Sequence, residues 1–425
     1  MGMKKSTVLI GKLTRLLARL RGGGSAFPGL VVERYDPNFL SDVLRDLPHG
    51  VVVISGTNGK TTTTKIVTEL LAASGFKVFT NRTGSNFTRG VISALLGEIR
   101  GFTFDADIAV LELDEAHAVQ FVRQVQPDYV LLLNVLRDQL DRFGEIDKTA
   151  KLLEITAQSA RRGVVLNRDD PLVVGISGAL SACDISFFGY NPALSDKFPS
   201  DEELHKERVG LPVEAETTRH IADVELESFT QRQAVYRIGA TSYGASLLLD
   251  GSHNILNAAA ALALVRMVMG RDADTDHLIR ALEKVQPAFG RGESIAINGV
   301  DLELILVKNP SGFRLALLSQ LKHDADVMIA INDLYADGRD MSWLWDVDFT
   351  PLEQVKVVSG IRAYDMALRL KYDEVPFDLV QTDMATALDR FLSQSDRPKQ
   401  IFCTYTAMLD IRKKLARVTE VEEAL

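Results

Sequence analysis

The 425-residue chain is poor in cysteine and carries no excess of basic residues. Its two cysteines, Cys183 and Cys403, are too few for a disulfide framework or a four-cysteine zinc site, which favours a reducing cytosol. No apolar run approaches the ~20 residues that a helix needs to span a bilayer. The net charge of −9 argues against a nucleic-acid-binding protein. Composition therefore indicates a globular, cytoplasmic protein of two or three domains.

The N-terminus differs from the rest because leucines and basic residues alternate there with a helical period. One face of the predicted helix carries Leu9, Leu13, Leu16, Leu17 and Leu20, and the other carries Lys12, Arg15, Arg19 and Arg21. Two interpretations remain open: the helix packs on the domain, or it lies on the inner face of an anionic membrane. Residues 1–44 are predicted to form this helix and a linker, with a flexible hinge at Gly22–Ser25.

The strongest motif is a buried-strand pattern at Val51–Ile54, followed by a glycine loop and a helix pattern. Such a loop cradles phosphate with its backbone N–H groups, and the helix dipole adds positive potential. Lys60 would reach the β- and γ-phosphates and Thr61 would hold Mg²⁺, although the loop is shorter than the general pattern. The candidate nucleotide-binding residues here are Gly56, Thr57, Asn58, Gly59, Lys60, Thr61 and Thr62.

Strand and helix patterns alternate from residue 40 to about residue 170, which predicts an α/β fold with a doubly wound parallel sheet. The candidate strands are Val51–Ile54, Phe76–Phe79, Ile108–Leu113, Tyr129–Leu133 and Gly163–Leu166. Ligands bind such sheets at the carboxyl ends of the strands. Polar residues follow four of these strands, at Asn81–Arg89, Glu112–Glu115, Asn134–Arg142 and Asn167–Pro171. Glu112 suits Mg²⁺, which takes oxygen ligands.

The second half of the chain predicts a further, smaller α/β domain. Phe187–Pro192 is interpreted as the start of a loop, and Phe229–Ile238 and Ala240–Leu249 as short strands. Strands at Leu302–Val307, Val327–Ile331, Val355–Ser359 and Gln400–Thr404 place the domains at residues 45–295 and 296–425. Arg291 at the hinge would meet a γ-phosphate on domain closure or remain a surface residue. A single histidine after a turn, such as His253, is more typical of a structural role than of a catalytic one.

Several of these runs occur in the order seen in the Mur ligases, which are ATP-dependent amide-forming enzymes. They are Gly56–Thr62, Glu112, Asn134 with Asp138–Arg142, and Gly251–Asn257. The chain resembles that family from residue 45 onwards. This resemblance implies a P-loop central domain of the Mur ligase type. It is most similar to the amidating subunits within the family, through Gly11–Arg15, Asn81–Asn86, Arg137–Arg142, Asp337–Asp346 and Thr404–Met408. The run Asp337–Asp346 is the most specific, since it contains the chain's only tryptophans.

The resemblance implies a reaction on the peptidoglycan precursor lipid II. ATP with Mg²⁺ would phosphorylate the α-carboxylate of D-glutamate in the stem peptide, and ammonia would displace phosphate to leave D-isoglutamine. The ammonia would come from glutamine, hydrolysed by a GatD-like glutaminase in a heterodimer with this chain. Two alternatives stay open: a Mur-like ligase that adds an amino acid without a glutaminase, and a non-catalytic nucleotide-binding activator of a glutaminase.

The resemblance also implies roles for individual residues. Lys60 and Thr61 would bind phosphate and Mg²⁺, Glu112 would be a second Mg²⁺ ligand, and Arg291 would contact the γ-phosphate. An aspartate, either Asp337 or Asp340, would complete the Cys–His pair of the partner by orienting its histidine. The implied nucleotide contacts are Asn134, Asn167, His253, Asn254 and Asn257.

The chain departs from the family pattern in two places. Many members carry a four-cysteine zinc ribbon in the middle domain, whereas the insertion near 187–245 has no cysteine, so no zinc is expected. Amino-acid-adding members have histidine where this chain has Gln139, and often use a carbamylated lysine. Lys151 is the nearest candidate for that lysine, and its modification is left open.

Overall fold

The computed structural model describes residues 3–20, 26–81, 87–136, 146–198, 219–249, 251–287, 291–297 and 299–416, and these form two α/β units. The strands of the first sheet are β1 (Val51–Ser55), β2 (Val78–Thr80), β3 (Ile108–Glu112), β4 (Tyr129–Leu132), β5 (Gly163–Asn167), β6 (Asp184–Tyr190), β7 (Val224–Thr230), β8 (Gln233–Ile238) and β9 (Thr241–Ser246). Those of the second are β10 (Arg291–Ile297), β11 (Val300–Leu306), β12 (Asp326–Ala330), β13 (Val355–Ser359), β14 (Phe377–Gln381) and β15 (Lys399–Cys403).

Helices cover both sheets. In the first half of the chain they are Lys5–Leu20, Phe27–Tyr35, Phe39–Leu44, Lys60–Ala73, Thr88–Glu98, Glu115–Val122, Ile146–Gln158 and Pro171–Gly175, with 3₁₀ turns at Ile176–Ala179 and Pro192–Lys197. In the second half they are Ser252–Met269, Thr275–Leu282, Pro310–Gln320, Ala363–Tyr372, Met384–Ser393 and Tyr405–Leu415, with a 3₁₀ turn at Ser342–Asp346.

The first sheet has the strand order β2-β3-β1-β4-β5-β6-β7-β8-β9 in the described residues. All pairs from β2 to β7 are parallel, and β8 and β9 continue the sheet as antiparallel strands. The chain order reverses at β1, which lies between β3 and β4. In a doubly wound sheet this reversal opens a crevice at the carboxyl ends of the strands. The predicted doubly wound parallel sheet is confirmed.

The side chains of β1 show why helices must cover both faces of this sheet. Val52 and Ile54 belong to one apolar cluster, which includes the helices Lys60–Ala73 and Ser252–Met269. Val51 and Val53 point the other way, into a second cluster that includes the helices Phe39–Leu44, Thr88–Glu98 and Ile146–Gln158. Successive strand residues face opposite sides of the sheet. An uninterrupted apolar run is therefore the pattern of a strand that is buried on both faces.

Three expectations for the first unit are wrong. Phe229–Ile238 is not one strand, because it contains the end of β7, a turn and all of β8, which pairs antiparallel with β7. The segment before residue 45 is not a linker, since Phe27–Tyr35 and Phe39–Leu44 are helices whose Val32, Phe39 and Leu44 lie in the core. The Gly29 N–H also donates to Ser93 Oγ at 2.9 Å. Phe187–Pro192 does not begin a loop, because most of it belongs to β6, which pairs with β5 and β7.

The second sheet has the order β10-β11-β15-β12-β13-β14 in the described residues. Only its first pair is antiparallel. Strand β10 begins at Arg291, before the expected boundary at residue 296, because its backbone pairs with β11 rather than with the first sheet. The predicted smaller α/β unit in the second half of the chain is confirmed, although β10 and β14 were not foreseen.

One described helix, Ser252–Met269, has the length and apolar composition of a membrane span. It is 67% buried. Its alanines and leucines pack against Ile66, Leu70 and neighbouring residues of the helix Lys60–Ala73. This packing makes it a core helix of the first unit.

Candidate functional site

The loop between β1 and the helix Lys60–Ala73 depends on two glycines with positive φ. Gly59 has φ +87°, and a Cβ on it would lie 2.6 Å from Oδ1 of Asn257. Gly56 has φ +130°, and a Cβ there would come within 3.0 Å of the backbone of Asn134. Other residues adopt this backbone rarely. The two glycines therefore let the loop wrap tightly around the first turn of the helix.

Asn134, at the end of β4, holds the loop in place. Its Oδ1 accepts from the Asn58 N–H at 2.8 Å and its Nδ2 donates to the Asn58 carbonyl at 3.1 Å. Its own carbonyl accepts from the Thr57 N–H at 3.0 Å. Asn134 was predicted to contact the nucleotide. In the structure, these hydrogen bonds fix the conformation of the loop Gly56–Gly59, and Asn134 also lines the adjacent cleft.

Lys60 is only 5% exposed and its ammonium lies at the loop. The Nζ donates to the carbonyls of Gly56 at 2.6 Å and Thr57 at 3.2 Å. It also forms an ion pair with Asp114 at 3.2 Å. The ammonium is thus fixed beside the backbone N–H groups that open the helix. Sequence reasoning missed Asp114, although it lies in the polar run after β3.

Thr61 and Glu112 meet as the magnesium hypothesis requires. Thr61 Oγ1 donates to Glu112 Oε1 at 2.8 Å. The backbone of Glu112 is held by Asn81, whose side chain exchanges two hydrogen bonds with it at 2.8 and 3.0 Å. The described residues contain no group of three His, Cys, Asp or Glu side chains able to hold a metal. Mg²⁺ at phosphate sites is usually held by one or two protein ligands, which this pair fits.

A cleft of about 800 Å³, including its part open to solvent, lies between the two units. An amide pair closes one side of it: Asn309 Nδ2 donates to Asn58 Oδ1 at 3.0 Å, and Asn58 Nδ2 donates to Asn309 Oδ1 at 3.3 Å. Lys308 Nζ reaches the Thr57 carbonyl at 3.4 Å. The cleft is lined by Asn58, Gly59, Asn134, Leu136, His253, Asn254 and Asn257 from the first unit, and by Ile305, Leu306, Lys308, Gly312, Leu315, Ala316 and Gln320 from the second.

Two buried amide atoms in this cleft have no hydrogen-bond partner among the described residues. They are Nδ2 of Asn257, a donor, and Oε1 of Gln320, an acceptor. A buried polar atom without a partner costs about 1–3 kcal/mol, so each such atom calls for a partner such as a ligand or a bound water. An adenine edge offers both an amine donor and ring-nitrogen acceptors. Gln320 Oε1 therefore fits the amine of a purine base, whereas Asn257 lies at the loop, with its Oδ1 2.6 Å from where a Cβ on Gly59 would stand, and fits the phosphate end of a nucleotide.

The other predicted residues are distributed as follows. His253 and Asn254 line the cleft, and Thr62 is buried in the first turn of its helix. Asn167 lies at the end of β5 and donates to the Leu133 carbonyl, just after β4, at 2.9 Å. Lys151 is exposed and paired with Glu154 at 2.7 Å. Residues 22–25, 82–86 and 137–142, with Gln139, and the side chain of Arg291 lie outside the described residues.

The two candidate aspartates of the second unit have opposite environments. Asp337 is buried, and its carboxylate accepts from the Thr406 N–H at 2.7 Å, the Thr406 hydroxyl at 2.5 Å and the Leu334 N–H at 3.1 Å. Burial raises the pKa of Asp337 despite these hydrogen bonds. Asp340 is exposed, and hydrogen bonds from Ser342 lower its pKa. Asp337 therefore ties the loop to the helix Tyr405–Leu415, while Asp340 presents an ionised carboxylate to solvent.

Four exposed rings and one exposed leucine occur in the second unit, and we call them the aromatic patch: Tyr335, Trp345, Tyr364, Leu368 and Tyr372, which are 43–75% exposed. Tyr335 and Trp345 lie about five residues before and after Asp340 in the sequence. The other three repeat every four residues along one face of the helix Ala363–Tyr372. The Trp345 and Tyr372 rings pack edge to face with centroids 5.1 Å apart. Contiguous exposed rings of this kind mark protein interfaces.

Comparison with known proteins agrees with this geometry. The family model for the Mur ligase middle domain matches residues 54–265, and that for the MurT ligase C-terminal domain matches residues 306–408. The MurT subunit of lipid II isoglutaminyl synthase (glutamine-hydrolyzing) from Staphylococcus aureus is 30% identical over 404 residues, covering 88% of this chain and 89% of that protein. The chain belongs to the MurT family of Mur ligases.

Other relatives of this MurT family member extend the comparison. The subunit of the same name from Streptococcus pneumoniae is 29% identical and covers 96% of both chains. MurF ligase from Thermotoga maritima, solved in complex with ADP, has a TM-score of 0.67 at 17% identity, covering 91% of this chain and 85% of that one. The predicted resemblance to the Mur ligases is confirmed. This MurT family member is therefore an ATP-dependent ligase of the Mur type.

Proposed function

We propose that this chain is the synthetase subunit of a glutamine-dependent amidotransferase that acts on lipid II. It activates the α-carboxylate of D-glutamate in the stem peptide with ATP, and ammonia from a glutaminase partner converts the activated group to D-isoglutamine. A carboxylate is a poor acyl donor. Transfer of the γ-phosphoryl group to it creates an acyl phosphate, whose phosphate ammonia then displaces.

The contacts around the phosphate loop support the activation step. Lys60 Nζ lies within 3.2 Å of the loop carbonyls, where a cation offsets charge on the transferred phosphoryl group. Thr61 and Glu112 would hold Mg²⁺, which supplies further charge neutralisation when bound. Gln320 of the second unit would contact the base, and Asn257, which lies against Gly59, would contact the phosphates. The nucleotide would thereby be fixed with its γ-phosphate toward the acceptor carboxylate.

The cysteines support the need for a partner. Hydrolysis of glutamine by a thiol enzyme needs an accessible thiolate. Cys403 is fully buried, and burial raises its pKa, with Asp337 adding to the shift. Burial likewise raises the pKa of Cys183, with a smaller effect from Asp184. Neither thiol suits nucleophilic attack, which supports a thiol-dependent glutaminase on another polypeptide as the source of ammonia.

The single observation that carries the partner assignment is the exposed carboxylate of Asp340, in the chain segment that carries Tyr335 and Trp345 of the aromatic patch. A carboxylate supplied across an interface orients a histidine and stabilises its charged form. Asp340 can do this because its pKa is lowered and its side chain reaches solvent. Asp337 cannot, since Thr406 and Leu334 already use its oxygens. We therefore assign the interface role to Asp340.

Reconstitution tests the proposed function. The purified chain with a GatD-like glutaminase should convert glutamine and ATP to glutamate, ADP and amidated lipid II in equal amounts. ADP release should require both lipid II and a nitrogen source, since the acyl phosphate forms on the substrate. Omission of the glutaminase should be rescued by ammonium chloride at alkaline pH, where ammonia is not protonated.

Two results would contradict the proposal. Incorporation of a free amino acid into the precursor without a glutaminase would indicate an amino-acid-adding ligase. Stimulation of the glutaminase with no amidated lipid II under any nitrogen source would indicate a non-catalytic activator. Mass spectrometry of the lipid product separates the three outcomes, because amidation lowers the mass by ~1 Da, whereas addition of a residue raises it by tens of daltons or more.

The nucleotide pose makes a separate prediction. Replacement Gln320→Leu should weaken ADP binding about tenfold, because a lost hydrogen bond to a buried partner costs roughly 1–3 kcal/mol. Isothermal titration calorimetry measures the change. Gln233→Leu is the control, because Gln233 lies on β8 and pairs with Ser246. Unchanged affinity in Gln320→Leu would remove Gln320 from the base contact.

A further inference from the structure

The N-terminal helix Lys5–Leu20 packs on the first unit through the face opposite its leucines. Thr7 and Val8 are fully buried, and a Cβ on Gly11 would lie 2.5 Å from the Leu96 side chain. Asp36 anchors this face, accepting from Lys4 Nζ at 3.0 Å and from Thr7 Oγ1 at 2.7 Å. The contacts fix the rotation of the helix about its axis.

The fixed rotation turns the apolar face outward. Leu9, Leu13, Leu16, Leu17 and Leu20, which we call the leucine stripe, are 50–76% exposed. These positions follow a spacing of three and four residues, so they form one continuous strip along the helix. A surface helix of a globular protein normally buries such a strip against its own core. Here the small residues face the core and the large apolar residues face solvent.

Basic side chains flank the leucine stripe. Lys5 Nζ lies 5.6 Å from the ring of Phe102, which is itself exposed, and Lys12 Nζ reaches the Gly101 carbonyl at 3.4 Å. No acidic residue occurs before Glu33, although the whole chain has a net charge of −9. Positive charge is thus concentrated beside the exposed leucines of an otherwise acidic protein.

From this arrangement we infer that the leucine stripe inserts into the interfacial region of an anionic lipid bilayer. Apolar side chains over a basic flank are the combination that binds anionic membrane surfaces. A second copy of the chain is disfavoured, because stripe-to-stripe packing would bring two basic flanks together. The glutaminase is disfavoured as well, because the proposed interface, the aromatic patch and Asp340, belongs to the second unit. The helix therefore packs on the first unit through one face and docks the enzyme to the lipid surface through the other.

Vesicle co-sedimentation of the full chain tests this inference. Wild type should bind vesicles of equal parts phosphatidylglycerol and phosphatidylcholine, and bind pure phosphatidylcholine vesicles much more weakly. The triple variant Leu13→Gln, Leu16→Gln, Leu20→Gln should partition at least about tenfold more weakly, since three apolar side chains no longer enter the bilayer. Lys5→Gln with Lys12→Gln should reduce binding to the anionic vesicles about tenfold or more.

A matched control replaces exposed leucines elsewhere. Leu318→Gln, Leu334→Gln and Leu368→Gln alter side chains of comparable exposure on the second unit, and should leave vesicle binding unchanged. Equal vesicle binding by wild type and the leucine-stripe variant would overturn the inference. So would light scattering that shows a wild-type dimer broken by that variant, or a variant that loses only glutaminase binding.

Discussion

Replacement Lys60→Ala is expected to reduce ATP-dependent amidation by about 10²- to 10³-fold, the usual loss on removing one preorganised charge from a transition state. The Nζ of Lys60 is held 2.6 Å from the Gly56 carbonyl and 3.2 Å from Asp114. The ammonium group is therefore positioned before the nucleotide binds, and little side-chain conformational entropy is lost on binding. ADP release in the reconstituted system measures the loss, with both glutamine and ammonium chloride as nitrogen source.

The same helix supplies the control. Lys65 also carries a positive charge, but it donates to the Pro287 carbonyl at 2.9 Å and pairs with Glu69 at 3.7 Å. Lys65→Ala should retain amidation within about twofold, since exposed pairs contribute little. The melting temperature of each variant separates loss of chemistry from loss of fold, because Lys60→Ala leaves Asp114 without its cation. Undiminished amidation by Lys60→Ala would refute the phosphate-loop assignment.

The first five strands of the first sheet were predictable from sequence, because local patterns determine them. Apolar runs at β1, β3 and β4 mark strands buried on both faces, and reading the residues after each strand led to Glu112. The same rule applies to the residues that follow the strands of the second sheet. Lys308 and Asn309 follow β11 just as Glu112 ends β3, and they close the cleft. Polar residues directly after a strand of the second sheet therefore pointed to the cleft as clearly as Glu112 did in the first sheet.

Other features could not be read locally. The amide pair between Asn58 and Asn309 joins residues 251 apart in sequence, so no window of the chain contains it. Strand β14 is an edge strand that is only half-buried, and therefore lacks a continuous apolar run. The amphipathic pattern of the N-terminal helix predicts that one face is apolar. Which face is buried depends on Gly11 meeting Leu96 and Val32.

The choice between Asp337 and Asp340 also needed the fold, and it gives the second large prediction. Asp340→Asn should lower glutamine-dependent amidation by about 10⁴-fold, the effect of replacing the histidine-orienting carboxylate with an amide in such a triad. Amidation driven by ammonium chloride should persist, because the phosphate loop lies in the first unit. The ratio of the two rates measures the interface role independently of enzyme concentration.

Asp337→Asn provides the contrasting case. An amide cannot accept all three hydrogen bonds that the Asp337 carboxylate now takes from Thr406 and Leu334, so at least one buried donor loses its partner. We expect a loss of about 1–3 kcal/mol in the free energy of unfolding, visible as a lower melting temperature. The rates of amidation from glutamine and from ammonium chloride should then fall by the same factor at elevated temperature. A stable Asp337→Asn that loses only glutamine use, beside an unaffected Asp340→Asn, would reverse the assignment and place the buried carboxylate at the interface.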